Sequence, residues 1–235
     1  MQRIQIHAYW LGTVDYLETY ELQQKLRRAL IEGCIGDVVL LLEHNPVITI
    51  GKGGNIKNIL VSESYLASRG VPVVRIDRGG DVTFHNPGQI VGYFIVHLES
   101  IGKTIHQFVR ALEEAVIKVL AGFKIAGTID PKHPGVWIGD KKICALGLNV
   151  NQGVTMHGFA LNVNNNLGIT SYMHPCGLSD KGVTSIAEQS SRPVETASVA
   201  ALIVRAIGSA LNRSMVFHDA IMKPSEVIEN VFDAD

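Results

Sequence analysis

The sequence lacks several features that would assign it to a common class of protein. It has only three cysteines, too few and of odd number for a disulfide framework, which favours a reducing compartment. Its net charge of −1 leaves no basic excess to neutralise phosphates, so nucleic acid is not expected as a main ligand. The most apolar stretch, residues 197–211, is interrupted by Arg205, Gly208 and Ser209 and is too short to span a bilayer.

Signals for secretion, phosphate loops and metal sites are also missing. The first residues carry Gln5 and His7 where a secretory signal would need an unbroken apolar run. Neither G-x-x-x-x-G-K-[ST] nor G-x-G-x-x-G occurs, and the nine histidines are dispersed without zinc-ligand spacing. We therefore expect a cytoplasmic globular protein without metal or membrane contact, folded as one domain over residues 1–235.

Strand and helix patterns alternate along the chain. Five runs of β-branched and aliphatic residues predict strands: 38–42, 71–76, 90–96, and more weakly 143–150 and 159–163. Three stretches show the apolar period of a helix: 15–31, 104–120 and 195–211. Asp15 with Glu18, and Thr104 with Gln107, stand at capping-box spacing at the starts of the first two. The predicted fold class is α/β (α+β), a single domain with a mixed β-sheet flanked by helices.

A glycine-rich segment, residues 78–89, has the sequence RGGDVTFHNPGQ. Its paired glycines allow close approach of a ligand to the backbone, and Asn-Pro-Gly enforces a second turn. Arg78 and His85 would then stand at the two ends of a short strand. A β-hairpin whose glycines serve only the turn geometry is an equally good interpretation of these residues.

Residues 143–179 contain no Lys, Arg, Asp or Glu, although 18% of the chain is charged. The stretch is nevertheless rich in asparagine: Asn149, Asn151, Asn162, Asn164, Asn165 and Asn166. A binding cavity lined by such residues, with amide groups and no charged side chains, suits an apolar substrate with one polar end. Two buried strands joined by an Asn- and Gly-rich loop remain an alternative.

Lys142 precedes this stretch, and Cys176 lies near its end in His-Pro-Cys-Gly. A cysteine between Pro and Gly occupies a tight turn where substrate and backbone N–H groups can reach a thiolate. A lysine ammonium beside it would lower the pKa of the thiol, and the free amine could relay protons. Buried cysteines are more often structural, an interpretation that fits Cys34 and Cys144 better than Cys176.

Five segments in register resemble one known family. They are 78–89, 135–137, 142–147, 156–163 and 175–177. Together they resemble the octanoyltransferases of lipoate biosynthesis, the lipoyl(octanoyl) transferase B family, which is related to the lipoate and biotin protein ligases. The resemblance implies a lipoate/biotin protein ligase-like catalytic domain.

The resemblance also implies a reaction, the first step of endogenous protein lipoylation. Octanoyl acyl carrier protein would donate an octanoyl group to a lysine of lipoyl domains, on E2 subunits of 2-oxoacid dehydrogenases and on the glycine-cleavage H protein. Cys176 would form the octanoyl thioester, and Lys142 would activate it and relay protons, without a cofactor and in a monomer. The implied substrate-binding residues are Arg78, Gly79, Gly80, Asp81, Val82, Thr83, Phe84, His85, Ala145, Leu146, Gly147, His157, Gly158, Phe159 and Ala160.

Three positions depart from the family pattern, which usually has Tyr at Phe84, Gly at Asn86 and a small hydroxyl residue at Met156. Phe84 lacks the phenol hydroxyl, so any hydrogen bond made by that group must be absent or replaced. The implied catalytic positions are intact. A local excess of basic residues over residues 50–80 fits docking of an acidic carrier protein, although an ordinary solvated surface explains it equally well.

Three other functions would use a similar chain. An ATP-dependent lipoate or biotin ligase shares the implied fold but needs nucleotide contacts and no cysteine nucleophile. An amidotransferase that moves octanoyl or lipoyl groups between protein lysines carries its cysteine elsewhere. A non-catalytic lipid carrier or scaffold would use an apolar pocket without requiring Cys176.

Overall fold

The computed structural model describes residues 5–168, 172–173 and 181–232, which form twelve strands and six α-helices. The strands are β1 (Gln5–Val14), β2 (Val38–His44), β3 (Val47–Ile50), β4 (Val73–Arg75), β5 (Val82–His85), β6 (Gln89–Ile95), β7 (Thr128–Ile129), β8 (Gly135–Ile138), β9 (Lys141–Asn151), β10 (Val154–Asn162), β11 (Gly182–Val183) and β12 (Ser214–His218). The helices are α1 (Tyr16–Ile31), α2 (Glu63–Ser68), α3 (Ile105–Gly122), α4 (Ile186–Ser190), α5 (Thr196–Leu211) and α6 (Pro224–Phe232). A 3₁₀ turn spans Ile56–Asn58.

Nine strands of the described chain form one mixed sheet in the order β12-β1-β2-β6-β10-β9-β8-β7, with β11 paired to β9. β12, β1 and β2 run parallel to one another, whereas the pairings from β2 through β6, β10, β9 and β8 to β7 are antiparallel. The predicted mixed sheet flanked by helices is therefore confirmed.

Helices cover both faces of this sheet because each presents an apolar stripe to it. α3 and α5 pack on one face through side chains such as Phe108 and Ile203, and α1 and α6 cover the other face through Leu22 and Val227. All three predicted helices are confirmed as α1, α3 and α5. Within the described residues, no helix combines the length and apolarity needed to cross a membrane.

Capping side chains fix where the first two predicted helices begin. The Asp15 carboxylate accepts hydrogen bonds from the amides of Leu17 and Glu18 at the start of α1. Thr104 and Gln107 form a reciprocal capping box at the start of α3. The polar spacing read from the sequence therefore located both helix starts correctly.

A second sheet of three strands has the order β4-β3-β5. β4 runs parallel to β3 and β5 runs antiparallel to it, so β4 and β5 lie on opposite sides of β3. The hairpin interpretation of the glycine-rich segment is therefore wrong, because the strands on either side of its glycines do not pair. The loop between them must cross over β3, and this crossing brings residues 78–81 towards the large sheet.

Candidate active site

The glycine-rich loop is fastened to both sheets by backbone hydrogen bonds. The Gly79 amide donates to the carbonyl of Leu148 on β9 (2.9 Å), and the Lys52 amide donates to the carbonyl of Arg78 (2.9 Å). A Cβ atom at Gly147 would lie 2.7 Å from the Gly79 carbonyl oxygen. Glycine is therefore required where the loop and β9 touch, and the close approach expected for these glycines is between two stretches of backbone.

Arg78 places a buried positive charge at this junction. Its Nη2 donates to both the carbonyl and the hydroxyl of Thr49 on β3, at 3.0 and 2.9 Å, and its Nη1 donates to the Gly79 carbonyl (3.0 Å). The side chain is only 8% exposed. The guanidinium therefore ties the loop to the small sheet while it lines a cavity on the other side.

Three adjoining cavities meet along β9 and β10. The lysine cavity is lined by Lys142, Asn162 and Asn165, and the histidine cavity is lined by Arg78 and His157. An outer groove, the most open of the three, leads from Lys142 past Gly79 to α3. The lysine and histidine cavities share three lining residues: Thr83, Ala145 and Ala160. Ala145 and Ala160 are directly paired between β9 and β10, so the two cavities form one continuous path.

Lys142 is held at one end of this path. Its Nζ donates to the Pro134 carbonyl (3.2 Å) and lies 4.6 Å from the centre of the Trp137 ring. The residue is 8% exposed, and β11 pairs with β9 so that Val183 lies beside Lys142. The Lys142 side chain therefore lies in the wall of the lysine cavity, with a π-face and a carbonyl among its neighbours.

A chain of amide side chains connects the two cavities. Gln89 Nε2 donates to Asn162 Oδ1 (2.9 Å), and its Oε1 contacts His85 Nδ1 (2.7 Å). Because the Gln89 oxygen can only accept, His85 carries its proton on Nδ1 and leaves Nε2 unprotonated. Asn165 Nδ2 donates to Asn86 Oδ1 (3.0 Å). Asn86, where the family pattern has Gly, therefore holds the asparagine-rich loop in place.

Asp77 and His157 form a polar pair at the histidine cavity. His157 Nε2 donates to Asp77 Oδ1 (2.8 Å), which, as the main cause, lowers the pKa of Asp77 to about 2. Burial lowers the pKa of His157, so its imidazole is neutral at pH 7. Its φ of +63° is a left-handed conformation that histidine adopts more readily than most residues. With the proton fixed on Nε2, the Nδ1 atom is a hydrogen-bond acceptor.

The remaining polar groups at this end are also neutral. Tyr93 donates its hydroxyl to His44 Nε2 (2.7 Å), and burial lowers the pKa of His44 to about 4. Burial likewise lowers the pKa of His85 well below its usual value and raises that of Tyr93. The histidine cavity therefore combines uncharged imidazoles and phenols with the charged side chains of Arg78 and Asp81.

The structure brings together all but one of the site residues expected from the sequence. Fifteen substrate-binding positions and Lys142 each line at least one of the three cavities. Cys176 lies outside the described residues. The Asp81 carboxylate is occupied with the Asn55 amide (3.0 Å) and with Asn58, so it braces the neighbouring 3₁₀ turn. Within the described residues, no three or more His, Cys, Asp or Glu side chains converge to hold a metal.

The other two cysteines, Cys144 and Cys34, differ in their burial. Cys144 is fully buried, as expected for a structural cysteine, and burial raises the pKa of its thiol. Cys34 is exposed, so the structural role expected for it is wrong: the Gly-Cys-Ile-Gly turn carries it into solvent.

Sequence reasoning missed Tyr16, Asp77, Tyr93 and Asn162 as cavity or site residues. Asp77 adjoins the glycine-rich segment and could have been included with it. The two tyrosines lie on α1 and β6, and nothing in the local sequence distinguishes them from core aromatics. Asn162 belongs to the asparagine-rich stretch, but the sequence alone does not show what its side chain contacts.

Solved structures titled as lipoate protein ligases share this architecture. A structure titled as a bipartite lipoate protein ligase with its E2 lipoyl domain, from Thermoplasma acidophilum, superimposes with a TM-score of 0.71 over 98% of this chain and 92% of that chain. At 16% sequence identity this likeness establishes the fold. A family model of the lipoyl protein ligase A/B catalytic domain matches residues 15–208. Fold and family match together define the class of the chain as a lipoyl protein ligase A/B catalytic domain.

Sequence relatives narrow the class. An octanoyltransferase from Caldicellulosiruptor bescii is 49% identical over 183 residues, which cover 77% of this chain and 80% of that protein. An octanoyltransferase from Chloroflexus aggregans is 45% identical over 203 residues, covering 85% and 92%. The chain belongs to the octanoyltransferase family, the transferases of lipoate biosynthesis. The resemblance drawn from five short segments is thereby confirmed.

Proposed function

We propose that the chain transfers an octanoyl group from octanoyl acyl carrier protein to a specific lysine of lipoyl domains, on E2 subunits of 2-oxoacid dehydrogenases and on the glycine-cleavage H protein. The transfer passes through a thioester on Cys176, assisted by Lys142. The enzyme is one catalytic domain over residues 1–235 that acts as a cytoplasmic monomer without a cofactor.

The observation that carries this proposal is the position of the chain on either side of Cys176. Met173, three residues before it, and Val183, seven residues after it, both line the lysine cavity. The Thr184 amide then donates to the Lys142 carbonyl (3.0 Å). The described residues on either side of Cys176 therefore line the cavity that contains Lys142, which supports pairing of the Cys176 and Lys142 side chains.

The reaction then proceeds in two successive acyl transfers. The Cys176 thiolate attacks the thioester carbonyl of the donor, the carbon–sulfur bond to phosphopantetheine breaks, and the departing thiolate takes up a proton. A neutral lysine amine of the lipoyl domain next attacks the acyl-enzyme, the bond to Cys176 breaks, and an amide forms with loss of one proton. Lys142 is the group that gives and takes these protons.

The acyl chain lies along the path from the lysine cavity to the histidine cavity. Ala145, Leu146, Phe159 and Ala160 give this path apolar walls, and burial of the chain contributes about 0.8 kcal/mol per methylene. The outer groove, lined by Ile105 and other apolar side chains, offers the route by which a phosphopantetheine arm or an acceptor lysine reaches Lys142.

The donor docks at the mouth of the outer groove. Lys52 and Lys57 are exposed next to Gly53, which lines the groove, and the apolar side chains of Ile56 and Leu60 are exposed nearby. Positive charge mixed with apolar surface suits an acidic carrier protein. Lys52→Glu with Lys57→Glu should raise the KM for the carrier-bound donor while leaving the rate with a small octanoyl thioester unchanged; an unchanged KM would argue against docking here.

Intact-protein mass spectrometry tests the thioester route. Incubation with octanoyl acyl carrier protein should add one octanoyl group to the wild type and to Cys34→Ala, the matched control for an exposed thiol. Cys176→Ala should remain unmodified, and an apo lipoyl domain should discharge the wild-type adduct. Octanoylation of the domain only when ATP and free octanoate are supplied would instead indicate a ligase and remove Cys176 from the mechanism.

A further inference from the structure

Glu113 is a buried carboxylate on α3 that the proposed reaction does not use. Its side chain is 5% exposed, and the other buried side chains of this helix are all apolar. A buried carboxylate costs free energy unless hydrogen bonds and charges compensate it. Its Oε1 accepts a hydrogen bond from the Gly135 amide (2.9 Å), and its Oε2 lies 3.8 Å from Arg110 Nη1. The two carboxylate oxygens therefore face different partners, and Oε1 is directed at the start of β8.

The Gly135 amide belongs to the same peptide unit as the carbonyl that receives Lys142. This carbonyl is that of Pro134, which accepts from Lys142 Nζ at 3.2 Å. The peptide bond is trans, so its N–H and its C=O point in opposite directions. A single peptide unit therefore lies between the two side chains, with its N–H directed at the carboxylate and its C=O directed at the lysine amine.

The orientation of this peptide unit depends on the groups at its two ends. Pro134 has no amide hydrogen that could anchor the segment, and Gly135 has a φ of +134°, a conformation open to glycine. The Glu113 carboxylate can only accept and the Lys142 ammonium can only donate, so a flipped peptide would place like groups together at both ends. A carboxylate at the N–H end also polarises the carbonyl and strengthens it as an acceptor. Glu113 therefore sets the direction of the carbonyl that Lys142 meets.

The same segment supplies the aromatic neighbour of the lysine. Trp137 pairs with Lys142 between β8 and β9, which places its ring beside the amine. The indole Nε1 of Trp137 donates to the His133 carbonyl (3.1 Å) and so ties the two ends of segment 133–137 together. Because this segment is held as a unit, its attachment to Glu113 orients both the carbonyl and the ring that contact the amine.

We propose that Glu113 is a positioning residue for Lys142: it holds the Pro134–Gly135 peptide so that the carbonyl faces the lysine amine and keeps that amine in the wall of the lysine cavity. Glu113 lines none of the three cavities, so it acts through this peptide and not on the substrate. The inference rests on the proposed function in one respect, that Lys142 is the group that transfers protons.

Substitutions at Glu113 separate the hydrogen bond from the bulk of the side chain. Glu113→Gln keeps the length and an acceptor oxygen, whereas Glu113→Leu keeps the approximate volume and removes the acceptor. Glu114→Leu is the matched control, because Glu114 is the exposed neighbour on the same helix. Urea unfolding shows whether each variant is folded. If Glu113→Leu is not, Glu113→Asp takes its place, since aspartate keeps the charge but withdraws the oxygens by about 1.5 Å.

The first readout is octanoyl transfer from octanoyl acyl carrier protein to an apo lipoyl domain. Glu113→Leu should lower kcat by about tenfold, the effect of one misdirected charge-assisted hydrogen bond, and leave the KM for the donor within about twofold. Glu113→Gln should retain most of kcat, and Glu114→Leu should match the wild type. A loss in Glu113→Gln as large as that in Glu113→Leu would overturn the proposal, because the acceptor oxygen would then be irrelevant.

The second readout follows the amine itself and needs no octanoyl transfer. Trace labelling with acetic anhydride and mass spectrometry of the peptide that contains both lysines give the labelling of Lys142 relative to exposed Lys141. Glu113→Leu should raise this ratio by about threefold, because the carbonyl no longer holds the amine, whereas Glu113→Gln should leave it unchanged. A merely structural Glu113 would lower the midpoint of unfolding without changing the ratio, which would refute the inference. If the wild type transfers no octanoyl group, the proposed function fails, and the labelling ratio still decides whether Glu113 positions Lys142.

Discussion

The two ends of the cavity path carry different polar groups. At the lysine end, Lys142 is buried beside the Trp137 ring and the Pro134 carbonyl, and amide side chains line the wall. At the histidine end, burial keeps His44, His85 and His157 neutral, and Arg78 supplies a buried cation. Each end therefore has one buried basic side chain, and the two ends differ in its neighbours, which are amides at one end and neutral imidazoles at the other.

The two ends also differ in the strands, helices and loops that form them. The lysine end is closed by short strand β11, which follows the segment that contains Cys176, and by loop residues around Asn165. The histidine end is built from α1, β6, β9 and β10 together with β5 and the glycine-rich loop. Both ends therefore combine strands of the large sheet with loop residues, and they differ in which loop closes them.

Removal of the Lys142 amine should have the largest effect on activity. Lys142→Ala takes away the proposed proton relay, so acyl transfer to the lipoyl domain should fall by about a hundredfold or more. Lys141→Ala is the matched control, because Lys141 is the exposed neighbour on the same strand. Its rate should stay within about twofold of the wild type, as surface substitutions usually do. A comparable loss in both variants would mean that the fold of β9, not the amine, is responsible.

Gly88→Ala should disrupt the lysine end through its scaffold. Gly88 has φ of +89°, and an added Cβ would lie 2.3 Å from Asn164 Oδ1 and 2.7 Å from the Asn165 amide nitrogen. The overlap and the backbone strain together should lower the free energy of unfolding by about 3 kcal/mol. Gly102→Ala has the same sign of φ, +62°, but open space around the new methyl, and should cost about 1–2 kcal/mol. Urea unfolding separates the two, and equal losses would show that the close approach at Gly88 is relieved.

The parts of the fold that could be predicted are those set by local signals. Helices α1 and α3 begin where Asp15 and Thr104 can cap them, and β2 and β6 follow apolar runs bounded by turn residues. The order of the small sheet could not be predicted, because a Gly-Gly turn shows that the chain bends but not which strand it pairs with afterwards.

The geometry of the candidate site could not be predicted from the sequence. The family resemblance named Arg78 and His157, but Asp77 reaches His157 across 80 residues of sequence, a contact that no local pattern encodes. The same holds for the left-handed backbone of His157, since an isolated histidine within a strand-like run gives no sign of positive φ. The positions of Lys142 and His157 at opposite ends of the cavity path became evident only from the pairing of β9 with β10.

Acidification should lower the free energy of unfolding through the buried histidines. Burial lowers the pKa of His44 from 6.5 to about 4, so the unfolded chain takes up a proton below pH 6.5 that the native protein does not. Stability should therefore fall as the pH drops from 6.5 towards 4, by up to about 1.4 kcal/mol per pH unit for each such histidine. His44→Gln should flatten this dependence, whereas His106→Gln, at an exposed position on α3, should not. Parallel unfolding curves for both variants across this pH range would contradict the assignment.

Asn86 should have the smallest effect, because it supports the lysine end from outside. Its Nδ2 donates to the Asn166 carbonyl (2.9 Å), and its Oδ1 accepts from Asn165 (3.0 Å). Replacement by glycine, the residue that the family pattern has here, should lower the free energy of unfolding by about 1–2 kcal/mol through the lost hydrogen bonds. Asn86→Ala removes the same bonds without loosening the backbone and should be the milder change, by about 0.5–1 kcal/mol. Urea unfolding of the pair measures both contributions, and a wild-type midpoint for Asn86→Ala would show that the asparagine-rich loop is held by its backbone alone.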